Sequence, residues 1–215
     1  MSNAQINNPY VFTQEDNIIL AENFHRNRKP WSNAVFNPIK DRIRAHLRPE
    51  QGLRCCYCKK ILRHDIREVD IEHIVDKQDH EEFTFTSKNL ALSCPACNTS
   101  KSTTETLFTP DSSNYPSTNT AFRIVHPHFD NYFTNIEIIG DIIIKSLKPK
   151  GTRTITICNL ATLRKARDKA LDKILSSCNP EICQLLQALV LDVNDSELRQ
   201  RIIDLINDIK ANPLY

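Results

Sequence analysis

The alternation of apolar and polar residues is clearest at residues 69–74, Val-Asp-Ile-Glu-His-Ile. Such a period of two predicts a strand with one buried face. Asp70 and Glu72 then share the other face, and His73 lies at the end of the strand. Four apolar residues that follow are expected to pack beneath this strand: Phe83, Phe85, Leu90 and Leu92.

The segment before this strand predicts two helices. Residues 1–12 lack any period and predict an unstructured lead. Thr13 followed three residues later by Asp16 is typical of a helix N-terminus, which predicts a helix over 14–27. A second helix is predicted over 38–47, because a proline opens it and apolar residues recur along one face.

The segment after the strand predicts a loop, a hairpin and helices. Residues 107–120 are rich in Ser, Thr, Asn and Pro, which is typical of a loop. Residues 135–139 and 142–147 predict a hairpin, and 152–157 a third strand. From residue 161 the Leu and Ile spacing becomes helical, which predicts helices over 161–177, 180–191 and 196–210.

Charge is distributed unevenly, although the net charge of the 215 residues is only +2. Residues 26–67 contain twelve Lys or Arg and three acids, whereas residues 68–82 contain seven acids and one lysine. A basic surface beside an acidic pocket is compatible with a metal site that a polyanion approaches. A merely solvated basic helix face is the alternative.

The eight cysteines include two Cys-x-x-Cys pairs, Cys55/Cys58 and Cys94/Cys97. Four thiolates in two knuckles are the usual ligands of a structural zinc ion, so the pairs predict a four-cysteine zinc site. A thioredoxin-type redox pair and disulfides are the alternatives. The absence of a secretory signal and of a long apolar run favours a reducing, cytoplasmic setting without membrane spans.

Residues 53–104 resemble the zinc-knuckle form of the HNH nuclease family. The family pattern is present in order as Cys-Cys-Tyr-Cys at 55–58, Glu-His-Ile at 72–74, Asn-Leu at 89–90, Cys-Pro-Ala-Cys-Asn at 94–98, and Lys101. The resemblance implies a module of two antiparallel strands and a helix that holds one catalytic divalent ion.

The resemblance also implies a role for each matched residue. His73 is the general base that activates water, and Glu72 and Asn98 are the carboxylate and amide that hold Mg²⁺ or Mn²⁺. Asn89 orients the loop that carries the histidine, and Lys101 contacts a phosphate. Glu72 stands where the family usually has Asp, which leaves open whether Asp70 shares the metal role.

The expected fold class is α+β. It comprises an N-terminal helical extension (1–52), a central HNH module with zinc knuckles (53–106), and a loop, small antiparallel sheet and C-terminal helices (107–215).

The expected function is metal-dependent hydrolysis of DNA, with RNA also open, in a role such as restriction or anti-phage defence. The C-terminal helices are candidates for docking a regulatory ATPase or a second copy of the chain. A non-catalytic, zinc-stabilised nucleic-acid-binding module is the alternative function.

Two further sets of residues have open roles. His126, His128 and Asp130 alternate along the chain and could form a second metal site, but the neighbouring Pro127 and aromatic residues favour a packed turn. Trp31, the single tryptophan, is expected to anchor the core.

Overall fold

The computed structural model describes residues 4–24, 30–62, 69–110, 113–139 and 143–162. These ranges contain, in order, α1 (Gln14–Asn23), α2 (Asn37–Glu50), β1 (Asp70–His73), β2 (Leu90–Ser93), α3 (Pro95–Lys101), β3 (Ile136–Ile139), β4 (Ile143–Ser146) and α4 (Pro149–Ile157). The prediction of a mixed fold with helices and small antiparallel sheets is confirmed. The C-terminal helices predicted from residue 161 onward lie almost wholly outside the described residues. No helix in the described ranges is both long enough and apolar enough to cross a bilayer.

Strands β1 and β2 form an antiparallel pair with α3 directly after it. Asp70 lies opposite Ser93 and His73 lies opposite Leu90. Helix α3 begins at Pro95, because proline is pre-set for a first helical turn. It ends at Lys101, after which Ser102 takes a positive φ of 47°.

Both faces of β1 are covered, contrary to the expected half-buried strand. Ile71, Glu72 and His73 are all buried. The polar face is closed because α3 packs against β1, so Glu72 points into protein. The aliphatic core on which the pair rests includes Ile39, Ile43 and Leu47 of α2 and Leu90 and Leu92 of β2.

The expectation of an unstructured lead is wrong for residues 4–12. Ile6 and Tyr10 are buried, and the Ile6 amide donates to the Pro127 carbonyl oxygen at 2.9 Å. The lead therefore packs against the segment that precedes β3. Apolar side chains spaced irregularly, as Ile6 and Tyr10 are, leave no periodic signal in the sequence.

The predicted cap of α1 is confirmed as a capping box. The Asp16 amide donates to Thr13 Oγ1, and the Thr13 amide donates to Asp16 Oδ2. Asp16 is fully buried and also accepts hydrogen bonds from Tyr10 and from Arg42 of α2. Burial alone would raise the pKa of Asp16, but these hydrogen bonds hold it below its usual value. The carboxylate thus joins the lead, α1 and α2.

The prediction of a third strand over 152–157 is wrong, because this segment is part of α4. Pro149 opens the helix, and the alternating threonines that suggest a strand are accommodated by bonding back along it. Thr154 Oγ1 donates to the Lys150 carbonyl oxygen and Thr156 Oγ1 to that of Thr152. Threonine satisfied in this way tolerates helical backbone despite its β-propensity. The predicted hairpin is present as β3 and β4, with its turn outside the described residues.

Gly151 allows α4 to approach β3 closely, and replacing it with alanine should destabilise the fold. An added Cβ would lie 2.1 Å from the Asn135 carbonyl oxygen, which already accepts the Leu147 amide. We expect Gly151→Ala to lower the free energy of unfolding by about 3 kcal/mol, as overpacking does. Thr156→Ala, on the exposed side of the same helix, should change it by less than about 0.5 kcal/mol. Equal urea midpoints for the two variants would contradict this account.

Candidate functional site

The four predicted zinc ligands converge. The sulfur atoms of Cys55, Cys58, Cys94 and Cys97 all lie within 4.8 Å of one another, and all four side chains are buried. The prediction that the two Cys-x-x-Cys pairs meet is confirmed. They form the one candidate metal-binding group of His, Cys, Asp or Glu side chains within the described ranges.

Two different local structures present the sulfurs. The first pair lies in a knuckle where the Lys59 amide donates to the Cys55 carbonyl oxygen, with Lys59 at a φ of 59°. In the second pair, Cys94 directly follows β2 as the N-cap of α3, and Cys97 lies in the first turn of that helix. A metal at this point would join the knuckle to the strand–helix junction.

The cluster fits a tetrahedral zinc ion. Sulfurs about 2.3 Å from zinc lie about 3.8 Å from one another in a tetrahedron. Cys58 Sγ and Cys94 Sγ are 3.8 Å apart, which is far beyond the roughly 2.05 Å of a disulfide. Four buried thiolates at this spacing would need a cation to offset their repulsion, whereas a redox pair needs a solvent-accessible thiolate. The arrangement is therefore compatible with structural zinc.

His73 lies at the end of β1 with its ring almost wholly buried. Its Nε2 is 3.1 Å from the Thr84 carbonyl oxygen. A carbonyl oxygen only accepts, so Nε2 carries the hydrogen and Nδ1 holds the lone pair of the neutral ring. Trp31 meets the ring edge to face at 4.6 Å. Burial lowers the pKa of His73 to about 3, helped by the nearby positive charge of Lys77.

Asn89 holds the segment that follows His73. Its Oδ1 accepts the Val75 amide at 2.8 Å, and its Nδ2 donates to the carbonyl oxygens of Val75 and Phe83. The Asn89 side chain is fully buried, and all three of these hydrogen bonds are to backbone atoms. These contacts are of the kind that the expected orienting role requires.

Glu72 forms a buried ion pair with Lys101. Glu72 Oε1 lies 2.8 Å from Lys101 Nζ and accepts the Tyr57 hydroxyl at 3.0 Å. Burial nevertheless raises the pKa of Glu72, against the opposing effect of the ammonium group. Lys101 also donates to the His73 carbonyl oxygen at 2.8 Å. Lys101 is only 2% exposed, so it faces β1 rather than an approaching phosphate.

Asp70 and Asn98 form a second contact between β1 and α3. Asn98 Nδ2 donates to Asp70 Oδ2 at 2.8 Å, and both side chains are only partly buried. The predicted ligand pair of Glu72 and Asn98 thus has each member engaged with a different residue. The carboxylate next to the Asn98 amide is that of Asp70.

The alternating histidines form a packed turn, as the neighbouring Pro and aromatic residues indicate. His126 Nε2 is 2.8 Å from the Tyr115 hydroxyl, and His128 Nε2 is 2.8 Å from the Leu90 carbonyl oxygen. Asp130 Oδ2 accepts the His126 amide and Lys150 Nζ. Burial lowers the pKa of both imidazoles, that of His128 to about 4. The two rings are thus structural.

Several members of the predicted basic footprint are internal. Lys40 and Lys59 are buried, and burial lowers the pKa of Lys40. Arg42 pairs with Asp16 and Glu15. Residues 26–29 and 63–67 of the footprint lie outside the described ranges. The sequence count therefore overstates the positive charge that is free to meet a phosphate.

Sequence reasoning missed three neighbours of the site: Tyr57, Thr84 and Trp31. Tyr57 lies between Cys55 and Cys58 in the first knuckle, and this position by itself predicts no contact with Glu72. Thr84 acts through its backbone, which leaves no trace in residue type. The sequence predicts Trp31 as a core anchor, and its contact with His73 comes from folding alone.

No protein-family model matches this chain, and no curated protein matches it significantly. The resemblance to HNH nucleases therefore rests on the sequence motif alone.

Removal of one sulfur ligand should release the metal and unfold the module. We expect one zinc ion per chain for the purified protein, and less than about a tenth of that for Cys97→Ser, with loss of cooperative unfolding. Cys56→Ala is the matched control, because Cys56 is also buried in the same knuckle but lies outside the ligand group. It should retain zinc. Metal content by atomic emission decides between them, and an unaltered content in Cys97→Ser would refute the site.

His73 should make the stability of the fold fall in mild acid. Its pKa in the folded protein is about 3 against an ordinary 6.5, so stability present above pH 6.5 is lost as the pH falls toward 3. Between pH 7 and 5.5 this amounts to about 1 kcal/mol. We expect His73→Gln to lack that part of the loss, measured by urea unfolding with excess zinc at both pH values. Parallel pH dependence in both proteins would show that His73 is freely protonated in the fold.

Proposed function

We propose that this chain is a metal-dependent HNH-type endonuclease that hydrolyses phosphodiester bonds of DNA. The observation that carries the proposal is the state of His73. It is a neutral imidazole with Nε2 held by a backbone carbonyl, at the end of a strand in a strand–strand–helix unit joined to a four-cysteine cluster. Two further motif residues support it, because Lys101 bonds the His73 carbonyl oxygen and Asn89 bonds the nearby backbone of Val75.

The tautomer of His73 suits a general base, but its lowered pKa makes it a weaker base than an exposed histidine. With its hydrogen fixed on Nε2, Nδ1 is the atom that would take a proton from water. Thr84 and Trp31 restrain the ring from two sides, through the Nε2 hydrogen bond and an edge-to-face contact. A restrained base loses little entropy when it meets its substrate.

The oxygen donors that fit a catalytic Mg²⁺ or Mn²⁺ are Asp70 and Asn98. Both are partly exposed and adjacent, and a carboxylate with an amide carbonyl suits a hard divalent cation. Glu72 fits less well, because Lys101 already supplies a positive charge at its Oε1. A bound ion would supply charge stabilisation at the phosphate and leaving oxygen. We therefore assign Asp70 the metal role that the motif position gives to Glu72.

Glu72, Lys101 and Asn89 then act as positioning residues. Lys101 bonds both the Glu72 carboxylate and the His73 carbonyl oxygen, which fixes the backbone that presents the imidazole. Asn89 fixes the backbone just after it, through Val75. The general base is thus held from both sides along the chain.

A non-catalytic nucleic-acid-binding module remains the second candidate. The observation that favours it is the closure of the site: His73 is only 5% exposed and Glu72 only 1%. A binding module needs the zinc-stabilised fold and surface cations but no accessible base.

Cleavage of supercoiled plasmid tests the proposal. Protein freed of divalent ions but retaining zinc should cut only when Mg²⁺ or Mn²⁺ is added. His73→Ala should reduce the rate by about 10²–10⁴-fold, the usual contribution of a general base. Asp70→Asn should also abolish ion-dependent cleavage. Asp79→Asn, the same change at an exposed acid outside the site, is the matched control and should cut normally.

Each result has a distinct meaning. Cleavage by His73→Ala at the original rate would remove His73 as the base. Normal cleavage by Asp70→Asn with loss in Glu72→Gln, at unchanged stability, would return the metal role to Glu72. Plasmid binding without cleavage in any ion would favour the binding module.

A further inference from the structure

A cavity of about 870 Å³ opens beside the start of α4, away from the motif residues. Its wall includes four cationic side chains, Arg123, Lys148, Lys150 and Arg153, together with Phe108 and a single acid, Asp130. The wall contains none of the residues assigned to the cysteine cluster or to the His73 site.

The one acid in the wall is already neutralised. Asp130 is 5% exposed. Its Oδ2 accepts Lys150 Nζ at 2.6 Å and the His126 amide at 2.7 Å, and its Oδ1 accepts Asn119 Nδ2 at 3.0 Å. The charges of Lys150 and Asp130 therefore cancel. Both oxygens of the Asp130 carboxylate already have partners, so it does not balance another cation.

Within the described ranges, the other three cations have no counter-charge. No ion pair between described residues involves Arg123, Lys148 or Arg153, and Arg123 Nε is buried without a hydrogen-bond partner among them. Lys148 and Arg153 are exposed at the cavity. Cations that line one concavity without acids repel each other, and an anion relieves that repulsion.

Two further features indicate the kind of anion that fits the cavity. Lys148 is the N-cap of the nine-residue helix α4 and has no side-chain cap, so the positive end of the helix adds to the field. Phe108 is 61% exposed, with the Arg123 guanidinium 5.6 Å from the centre of its ring. An exposed aromatic ring beside phosphate-binding cations is the arrangement that stacks a nucleobase.

We propose that this cavity binds a nucleotide, with its phosphate group between Lys148, Arg153 and Arg123 and its base against Phe108. The nucleotide is part of a DNA strand held outside the cleavage site, an assignment that rests on the proposed function. A free mononucleotide has the same chemistry and is the other source. The cavity thus adds a second contact with nucleic acid, which the HNH motif itself does not supply.

Binding of a short fluorescein-labelled oligo-dT strand to the His73→Ala protein tests the site without any cleavage. Lys148→Ala/Arg153→Ala should weaken binding about tenfold and lower the salt dependence of log K by roughly 1 to 1.5, because each lost contact with a single strand removes about 0.7. Phe108→Ala should also weaken binding about tenfold by removing a stacked base. Lys145→Ala removes a cation that is 60% exposed and outside the cavity wall, and should bind like the parent.

The outcomes separate the site, its source and the nuclease proposal. Binding by the double variant equal to that of Lys145→Ala, with both folded by thermal melting, would overturn the site for DNA. If AMP then bound the parent and not the double variant, the site would stand with a free nucleotide as its source. Binding of neither strand nor AMP by the parent would overturn it altogether. Failure of the wild-type protein to cut plasmid would leave these binding results unchanged and would count only against the nuclease.

Discussion

The convergence of four cysteine sulfurs is the constraint on which the rest of the described structure depends. Four thiolates buried within 4.8 Å of one another would repel each other, and a cation bound between them would offset that repulsion. The ion they fit would join a knuckle at one end to the β2–α3 junction at the other, across a long intervening segment that includes β1. The described part of that segment forms a two-stranded sheet, and two strands are marginal without further support. The fold therefore relies on the sulfur cluster where a larger domain would rely on apolar area.

Burial sets the chemistry of the strand that the cluster supports. Covering both faces of β1 leaves His73 neutral and gives Glu72 an internal partner in Lys101. A buried ion pair of this kind contributes little net stability, because desolvation offsets attraction, but loss of either partner is costly. Its effect is to specify geometry: the ammonium group reaches both a side chain and the backbone of the next residue. The other polar pair between β1 and α3, Asp70 with Asn98, is more exposed.

The sequence predicted the features that depend on spacing and local chemistry. The Cys-x-x-Cys pairs, the Thr13 cap, the helix at α2 and the β3–β4 hairpin all follow from short-range patterns. The prediction of a third strand was wrong because threonines in α4 bond back to their own helix. A β-branched segment, which usually favours a strand, is therefore helical here. The partners of Glu72 and of Asp70 were beyond prediction, since both depend on the angle at which α3 crosses β1. No periodicity records such an angle, and residue type does not distinguish two acids on one strand face.

The short length of helix α3 links the sulfur cluster to the backbone of His73. It has seven residues, about 10 Å, with Cys97 in its first turn and Lys101 at its end. A helix of two turns bends little. It therefore holds the sulfur cluster at one end at a fixed distance from Lys101, which bonds the His73 carbonyl oxygen, at the other. A displacement at either end must appear at the other. The position of the sulfur cluster and that of the imidazole are therefore coupled through one short helix.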